Sequence, residues 1–149
     1  MSQRLNIAAE SPDLYEACLG VEAYLHGSVD PALYELVKLR ASIINECTYC
    51  VDMHSHDALA AGETSTRLFA VAAWREAPFF TPAERAALAL TDSVTLLGSG
   101  GIPDDVWNEA AAHFDSKELI DLVGAIAMIN LWNRIAVPLR ATPRSAAAA

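Results

Sequence analysis

Positive charge is scarce in this sequence. Its 149 residues include 10 Lys and Arg against 19 Asp and Glu, which gives a formal net charge of −9. An acidic surface repels the phosphate backbone, so this balance argues against nucleic acid as a partner. The N-terminus lacks the basic, apolar and small-residue pattern of a secretory signal, and we therefore expect a cytoplasmic protein.

The sequence also lacks an apolar run long enough to cross a membrane. Its most apolar stretch, residues 119–133, spans about 15 residues against the ~20 that a bilayer requires, and Asp121 and Asn130 interrupt it. A helix that is apolar on nearly all sides must be covered by protein. In so small a chain, part of that cover is expected from another subunit, so we predict a homo-oligomer and no membrane partner.

Glycine fingerprints and strand signals are absent as well. There is no dinucleotide-binding glycine motif, and no metal, flavin or haem cofactor is implied. β-Branched residues are scattered, with no hairpin dipeptide between alternating runs. Helix signals are frequent instead, such as the capping boxes that begin at Thr81 and Asp115. We predict an all-α fold of about six to seven helices in one domain, residues 1–140, followed by a disordered tail, residues 141–149.

The predicted helices have clear start and stop signals. Pro follows Ser11 and Asp30, which places proline at the first helical position, and Gly62 can end a helix. The predicted spans are residues 11–27, 30–44, 47–62, 64–74, 81–97, 103–113 and a last, long helix capped by Asp115.

Two cysteines and a histidine form the conspicuous chemical cluster. The stretch "NECTYCVDMHSHD" places Cys47, Cys50 and His54 at intervals of three and four residues. At about 100° per residue on a helix, these side chains project from one face, whereas His56 points to the far side. Free N–H groups in a first helical turn favour a thiolate, and an imidazole one turn away can take or return its proton.

This cluster allows three interpretations. A redox pair would resolve a sulfenic acid on one sulfur into a disulfide with the other. A zinc site would use Cys47, Cys50 and His54 as ligands, but a closed site needs four ligands and no second CxxC or CxxH follows. The third interpretation is a pair of inert buried thiols. Elsewhere, Cys18 lies in an apolar helical pattern that predicts a small buried hydrophobe.

The residues around the cluster resemble a known family. The segment "LYELVKLRASIINECTYCVDMHSHDALAAGE" is similar to the core of the alkylhydroperoxidase D-like (AhpD-like) proteins of the carboxymuconolactone decarboxylase superfamily. Their pattern is a glutamate, eleven residues, CxxC, three residues and histidine, which Glu35, Cys47, Cys50 and His54 reproduce. The resemblance continues through "LFAVAAWREAPFFTPAERAALALTDSVTLL" and "AIAMINLWNRIAV", so it covers most of the chain.

The resemblance implies a function and a set of roles. Members are all-α homo-oligomers, often trimers or hexamers, whose cysteine pair reduces hydroperoxides. Cys50 would be the thiol activated through His54 and Glu35, and Cys47 its disulfide partner. By pattern alone, Glu35 lies opposite the apolar stripe of its helix and is expected in solvent. Some relatives carry a second relay histidine at the position that Tyr49 occupies here.

We therefore expect a thiol peroxidase that reduces organic hydroperoxides and is reset by an external dithiol of lipoyl or thioredoxin type. The alternatives are a zinc-binding helical oligomer, and a weakly active thiol–disulfide oxidoreductase or scaffold of the same fold. Asn130 and Asn133 are assigned no catalytic role and are expected to satisfy polar groups at helix contacts or subunit interfaces.

Overall fold

All regular structure in residues 2–147, which the computed structural model describes, is helical. This part of the chain forms eight α-helices: α1 (Ile7–Glu10), α2 (Pro12–Ser28), α3 (Pro31–Ile44), α4 (Thr48–Ala60), α5 (Ser65–Ala70), α6 (Pro82–Thr95), α7 (Asp104–His113) and α8 (Ser116–Leu139). The predicted all-α class is confirmed. The predicted count of six to seven omitted α1, whose four residues are too few to show a helical period.

Local capping chemistry explains why the predicted helix starts are confirmed. The Asp30 side chain accepts a hydrogen bond from the Leu33 amide at 3.0 Å, so it pairs one of the free amides of α3. Both predicted capping boxes are present, Thr81 with Glu84 and Asp115 with Glu118. The predicted fourth helix is split, because α5 ends at Ala70 and a 3-10 turn continues the chain over Val71–Ala73.

Helix α8 is the centre of the fold. It packs against α2, α3, α4, α6 and α7, and its buried face includes Leu122, Ile126 and Ile129, none of which is exposed. Leu36 and Val37 of α3 are equally buried. Each such side chain stabilises the fold by about 1.5–3 kcal/mol relative to exposure, so the core depends on the packing of α3 and α8 against their neighbours.

The length of α8 corrects one argument from the sequence. The helix has 24 residues, and by length and composition alone it could cross a membrane. The expectation that it is too short is therefore wrong, because the helix continues well beyond the apolar run. It also packs against five other helices of the chain, as the core helix of a globular fold does. Ile120, Leu131 and Val137 remain exposed on it, and homo-oligomerisation stays a prediction.

The packing of α3 against α4 positions the residues of the cysteine motif. The chain reverses between these helices through Glu46, whose φ of 54° lies in the left-handed region. Cys47 then forms the N-cap of α4, and Cys50 lies in its first turn. Because α3 and α4 lie side by side, a residue of α3 can face the histidine one turn further along α4.

Several smaller predictions can be compared with the structure. Cys18 is buried among apolar residues of α2 and α8, as predicted. The segment expected to be a disordered tail is described as far as Ala147, and Ala148 and Ala149 lie outside the described residues. Within it, the Ser145 amide donates a hydrogen bond to Asp52 of α4 at 3.2 Å.

Candidate active site

The two cysteine sulfurs of the CxxC motif lie together inside the protein. The Sγ atoms of Cys47 and Cys50 are 3.0 Å apart, in hydrogen-bonding contact, and both thiols are free. Each residue is only 1% exposed. A gap of 3.0 Å is one ångström longer than a disulfide bond, so a bridge can form with a small movement of the two side chains.

His54 and Glu35 form a second pair beside the sulfurs. The Nδ1 atom of His54 lies 2.8 Å from Oε2 of Glu35, and the side chains are 5% and 12% exposed. Glu35 is therefore not in solvent, and the expectation from pattern alone is wrong because α4 covers that side of α3. With its Nδ1–H donating to the carboxylate, His54 presents Nε2 as a proton acceptor, and this buried atom has no hydrogen-bond partner among residues 2–147.

The shared contact drives the pKa values of the two thiols apart. The hydrogen bond from Cys50 lowers the pKa of Cys47 to about 7, with help from the Asn133 side chain and the backbone amides of Tyr49 and Cys50, whereas burial opposes the shift. The pKa of Cys50 is raised well above its ordinary value, because its proton is held by Cys47 and the site is buried. As the pH rises through about 7, the pair therefore loses one of its two protons, and the thiolate is favoured on Cys47 at the helix N-terminus.

A buried lysine is part of the site, and sequence reasoning missed it. Lys38, only 1% exposed, donates to the hydroxyl of Tyr34 at 2.9 Å and forms an ion pair with Glu22. Trp132 donates its indole N–H to the other oxygen of Glu22 at 2.9 Å. Burial lowers the pKa of Lys38 to about 7, against the pull of Cys50 and Asp57. A lysine inside the apolar run "LVKL" is the signal that sequence analysis could have used.

Asparagines connect the helices behind the cysteines. Asn45 donates to the side-chain oxygens of Asn130 at 2.9 Å and Asn133 at 2.8 Å, and Asn133 donates to the hydroxyl of Ser42 at 3.1 Å. These bonds satisfy buried polar groups between α3 and α8, which is the role that the sequence predicted for Asn130 and Asn133. Asn133 has the additional effect of favouring the charged form of both thiols.

Two cavities reach the cysteine pair. The first, here called the His54 cavity, has a volume of about 360 Å³, and its lining includes Leu19, Glu35, Lys38, Cys50 and His54. The second, here called the tail cavity, has a volume of about 410 Å³, and its lining includes Cys47, Val137, Arg140, Thr142 and Pro143. Tyr49 and Ala136 line both cavities and so form the wall between them.

The geometry argues against the zinc interpretation. Over the described part of the chain, the group of three His, Cys, Asp or Glu side chains whose ligand atoms lie within 4.8 Å of one another is Glu35, His54 and Asp57. Neither cysteine belongs to it. The three residues that zinc would require, Cys47, Cys50 and His54, are therefore not gathered around one point.

Of the four residues predicted for the site, the structure brings together two pairs, Cys47 with Cys50 and His54 with Glu35. Cys50, His54 and Glu35 share the His54 cavity, and Cys47 does not line it. His56 is exposed and directs its Nδ1 to the backbone oxygen of Asp52 at 2.7 Å, on the far side as expected.

Comparison with known proteins shows which family the sequence matches. Residues 9–93 match the carboxymuconolactone decarboxylase family. The chain is 37% identical over 140 residues to the uncharacterized protein YdfG of Bacillus subtilis (strain 168), covering 93% of this chain and 95% of that protein.

Solved structures extend the comparison to the fold. One of them is a crystal structure of ATU0492 from Agrobacterium tumefaciens, a protein of unknown function for which an antioxidant defence role as AhpD has been suggested. It matches this chain with a TM-score of 0.93 and 39% identity, over 95% of this chain and 98% of that one. An uncharacterized peroxidase-related protein from Ralstonia eutropha JMP134 with an alkylhydroperoxidase AhpD core has a TM-score of 0.81 and 22% identity, over 92% of this chain and 74% of that one, which shows the shared fold alone. The chain belongs to the carboxymuconolactone decarboxylase family, among its AhpD-like members.

Proposed function

We propose that this protein is a thiol peroxidase that reduces organic hydroperoxides through a Cys47–Cys50 disulfide. The observation that carries the proposal is the 3.0 Å contact between two buried free thiols, beside a histidine that is oriented by a carboxylate. The antioxidant role suggested for the Agrobacterium protein supports it, because that chain is 39% identical over nearly its whole length.

The first half of the reaction takes place in the His54 cavity. When the hydroperoxide is bound, Nε2 of His54 takes the proton that Cys50 otherwise donates to Cys47, and the resulting Cys50 thiolate attacks the terminal oxygen of the hydroperoxide. The O–O bond breaks, and the leaving alkoxide receives the same proton from His54 and departs as an alcohol. Glu35 holds the imidazole and stabilises its charged form during the transfer. Cys50 is left as a sulfenic acid.

The second half forms the disulfide. The Cys47 thiolate attacks the sulfur of the Cys50 sulfenic acid, an S–S bond forms and hydroxide leaves. The hydroxide becomes water by taking a proton, which the buried Lys38 ammonium on the wall of the His54 cavity donates. Two electrons have passed from the thiol pair to the hydroperoxide. An external dithiol returns them, and the protein acts in the cytoplasm as a homo-oligomer whose contacts use Ile120 and Leu131, exposed apolar residues of α8.

Titration of thiols tests this proposal. The reduced chain has three thiols, and one equivalent of tert-butyl hydroperoxide should leave only that of Cys18, with mass spectrometry locating a bridge between Cys47 and Cys50. Cys18 is the internal control, because it is buried elsewhere and belongs to neither pair. The Cys50→Ser variant, which cannot form this bridge, should not show the loss of two thiols that the wild type shows. If wild-type protein keeps all three thiols, the proposal is wrong.

A further inference from the structure

The two sulfurs of the pair face different cavities. Cys50 lines the His54 cavity and Cys47 does not, whereas Cys47 lines the tail cavity and Cys50 does not. The aromatic side chain of Tyr49 contributes to the wall between the cavities. A small molecule in one cavity therefore approaches one sulfur, and a molecule in the other approaches its partner.

We propose that the oxidant and the reductant use opposite sides of the cysteine pair: hydroperoxide enters the His54 cavity and meets Cys50, and a small dithiol enters the tail cavity and attacks Cys47. The inference rests on the proposed function, since it concerns how the disulfide is made and unmade. It adds a second binding site, in which residues 137–146 form much of the lining.

The direction of thiol–disulfide exchange supports this assignment. The incoming thiolate displaces a sulfur along the S–S axis, so an attack on Cys47 comes from the side away from Cys50. The tail cavity lies against Cys47 and does not include Cys50, which is the arrangement that such an attack requires. An attack on Cys50 would need the reductant in the His54 cavity, where it would compete with the hydroperoxide.

The leaving group of the second exchange step agrees with the same direction. A thiolate of the reductant bonds to Cys47, and Cys50 leaves and takes up a proton. The second thiol of the reductant then attacks its own mixed disulfide, closes a ring, and releases Cys47. Cys47 leaves as a thiolate stabilised by the amides of Tyr49 and Cys50. The protein gains two electrons, and the dithiol becomes a cyclic disulfide.

Burial selects the class of reductant. Cys47 is 1% exposed and lines a cavity of about 410 Å³, so the attacking sulfur must arrive on a narrow molecule or a flexible arm. A dithiol completes the second step intramolecularly, which gives it a large effective concentration. A monothiol needs a second molecule to enter a cavity that the first already fills. A dithiol fixed on the surface of a folded protein cannot reach the sulfur without rearrangement of the 137–146 segment.

Two matched tryptophan substitutions test the separation. Val137→Trp narrows the tail cavity and Leu19→Trp narrows the His54 cavity, and both residues are partly exposed, so the larger side chain can be accommodated. Oxidation is followed with tert-butyl hydroperoxide. Reduction by dihydrolipoamide is followed separately, from a disulfide made with diamide. Far-ultraviolet CD checks the fold, and Thr142→Trp replaces Val137→Trp if that variant loses helicity.

The expected result is a crossed pattern. Val137→Trp should slow reduction about tenfold or more and leave oxidation within about twofold, and Leu19→Trp should do the reverse. Equal effects on both half-reactions, no effect on either, or the opposite pattern would overturn the proposal. Because diamide makes the bridge, the reduction result tests the tail cavity by itself. If hydroperoxide fails to oxidise the wild type, the proposed function and the role of the His54 cavity are wrong, whereas the assignment of the reductant to the tail cavity is still decided by the reduction rates.

The mixed disulfide identifies the attacked sulfur directly. Reduction with the monothiol cysteamine, quenched with acid, should leave the adduct on Cys47, and mass spectrometry of the peptides distinguishes it from an adduct on Cys50. An adduct mainly on Cys50 would contradict the proposal. Reduction by thioredoxin at a rate equal to that of dihydrolipoamide would contradict the assignment of the reductant to a small dithiol.

Discussion

Removing the Cys50 thiol should raise the pKa of Cys47. Its pKa is lowered from 9.0 to about 7, and the hydrogen bond from Cys50 is the largest cause. Two pKa units correspond to roughly 3 kcal/mol in favour of the thiolate, because each unit is about 1.4 kcal/mol. At pH 7 about half of Cys47 is then ionised, against roughly one molecule in a hundred for an ordinary thiol, a difference of about fiftyfold.

The assay is the rate of iodoacetamide alkylation at Cys47 as a function of pH, with the modified peptide identified by mass spectrometry. Wild-type protein should give a step near pH 7, and Cys50→Ala should move the step upward toward the ordinary value, because burial then acts without the hydrogen bond. Cys50→Ser is the matched control, since a hydroxyl keeps a donor, and its step should lie between the two. If the step stays near pH 7 in Cys50→Ala, or if Cys47→Ala retains a thiol that titrates there, the assignment of the thiolate is wrong.

The same shift has a consequence for stability. The folded pKa of Cys47, about 7, lies below the unfolded value of about 9, so the folded state binds fewer protons between these limits. The contribution of Cys47 to the free energy of unfolding is therefore fully present above pH 9 and is lost as the pH falls through 7. Reduced wild type should gain stability relative to Cys47→Ala between pH 7 and pH 9, as measured by urea unfolding, and a flat difference would contradict the shift.

Two further predictions concern single residues. His54→Ala should slow oxidation of the thiols by hydroperoxide on the order of a hundredfold, the usual contribution of general acid–base catalysis. The same variant should leave the rate of Cys47 alkylation near its wild-type value. If both rates fall equally, the ring only supports packing. Glu46→Gly should stabilise the chain by about 0.5–1 kcal/mol, which is about 2–3 °C in Tm, because glycine accepts the left-handed φ of 54° without strain. Glu46→Gln keeps the strain and should leave Tm unchanged, and an equal rise in Tm would assign the effect to charge instead.

The helical architecture was predictable from the sequence because its signals are local. Asp30 and the boxes at Thr81 and Asp115 cap helices through atoms that lie within three residues of one another. The spacing of Cys47 and Cys50 likewise predicted a pair on one helical face, and the sulfurs lie in contact.

The rest of the site depends on which helices pack together, and no local pattern encodes that. The sequence pattern predicted Glu35 in solvent, whereas α4 covers it in the structure. Only the family resemblance pointed to its contact with His54. Lys38 joins the site through Glu22 of α2, sixteen residues earlier in the chain. The favoured thiolate on Cys47 was also unforeseen, since it depends on Asn133 of α8 as well as on the neighbouring cysteine.

The central claim is that Cys47 and Cys50 together pass two electrons to a hydroperoxide. A single-turnover experiment, with reduced protein in excess over cumene hydroperoxide and quenched with acid, measures the alcohol formed and the bridged peptide in the same samples. We expect one alcohol for each Cys47–Cys50 bridge, appearing at the same rate. Alcohol without a bridge, or a bridge that forms equally fast when hydroperoxide is left out, would contradict the account.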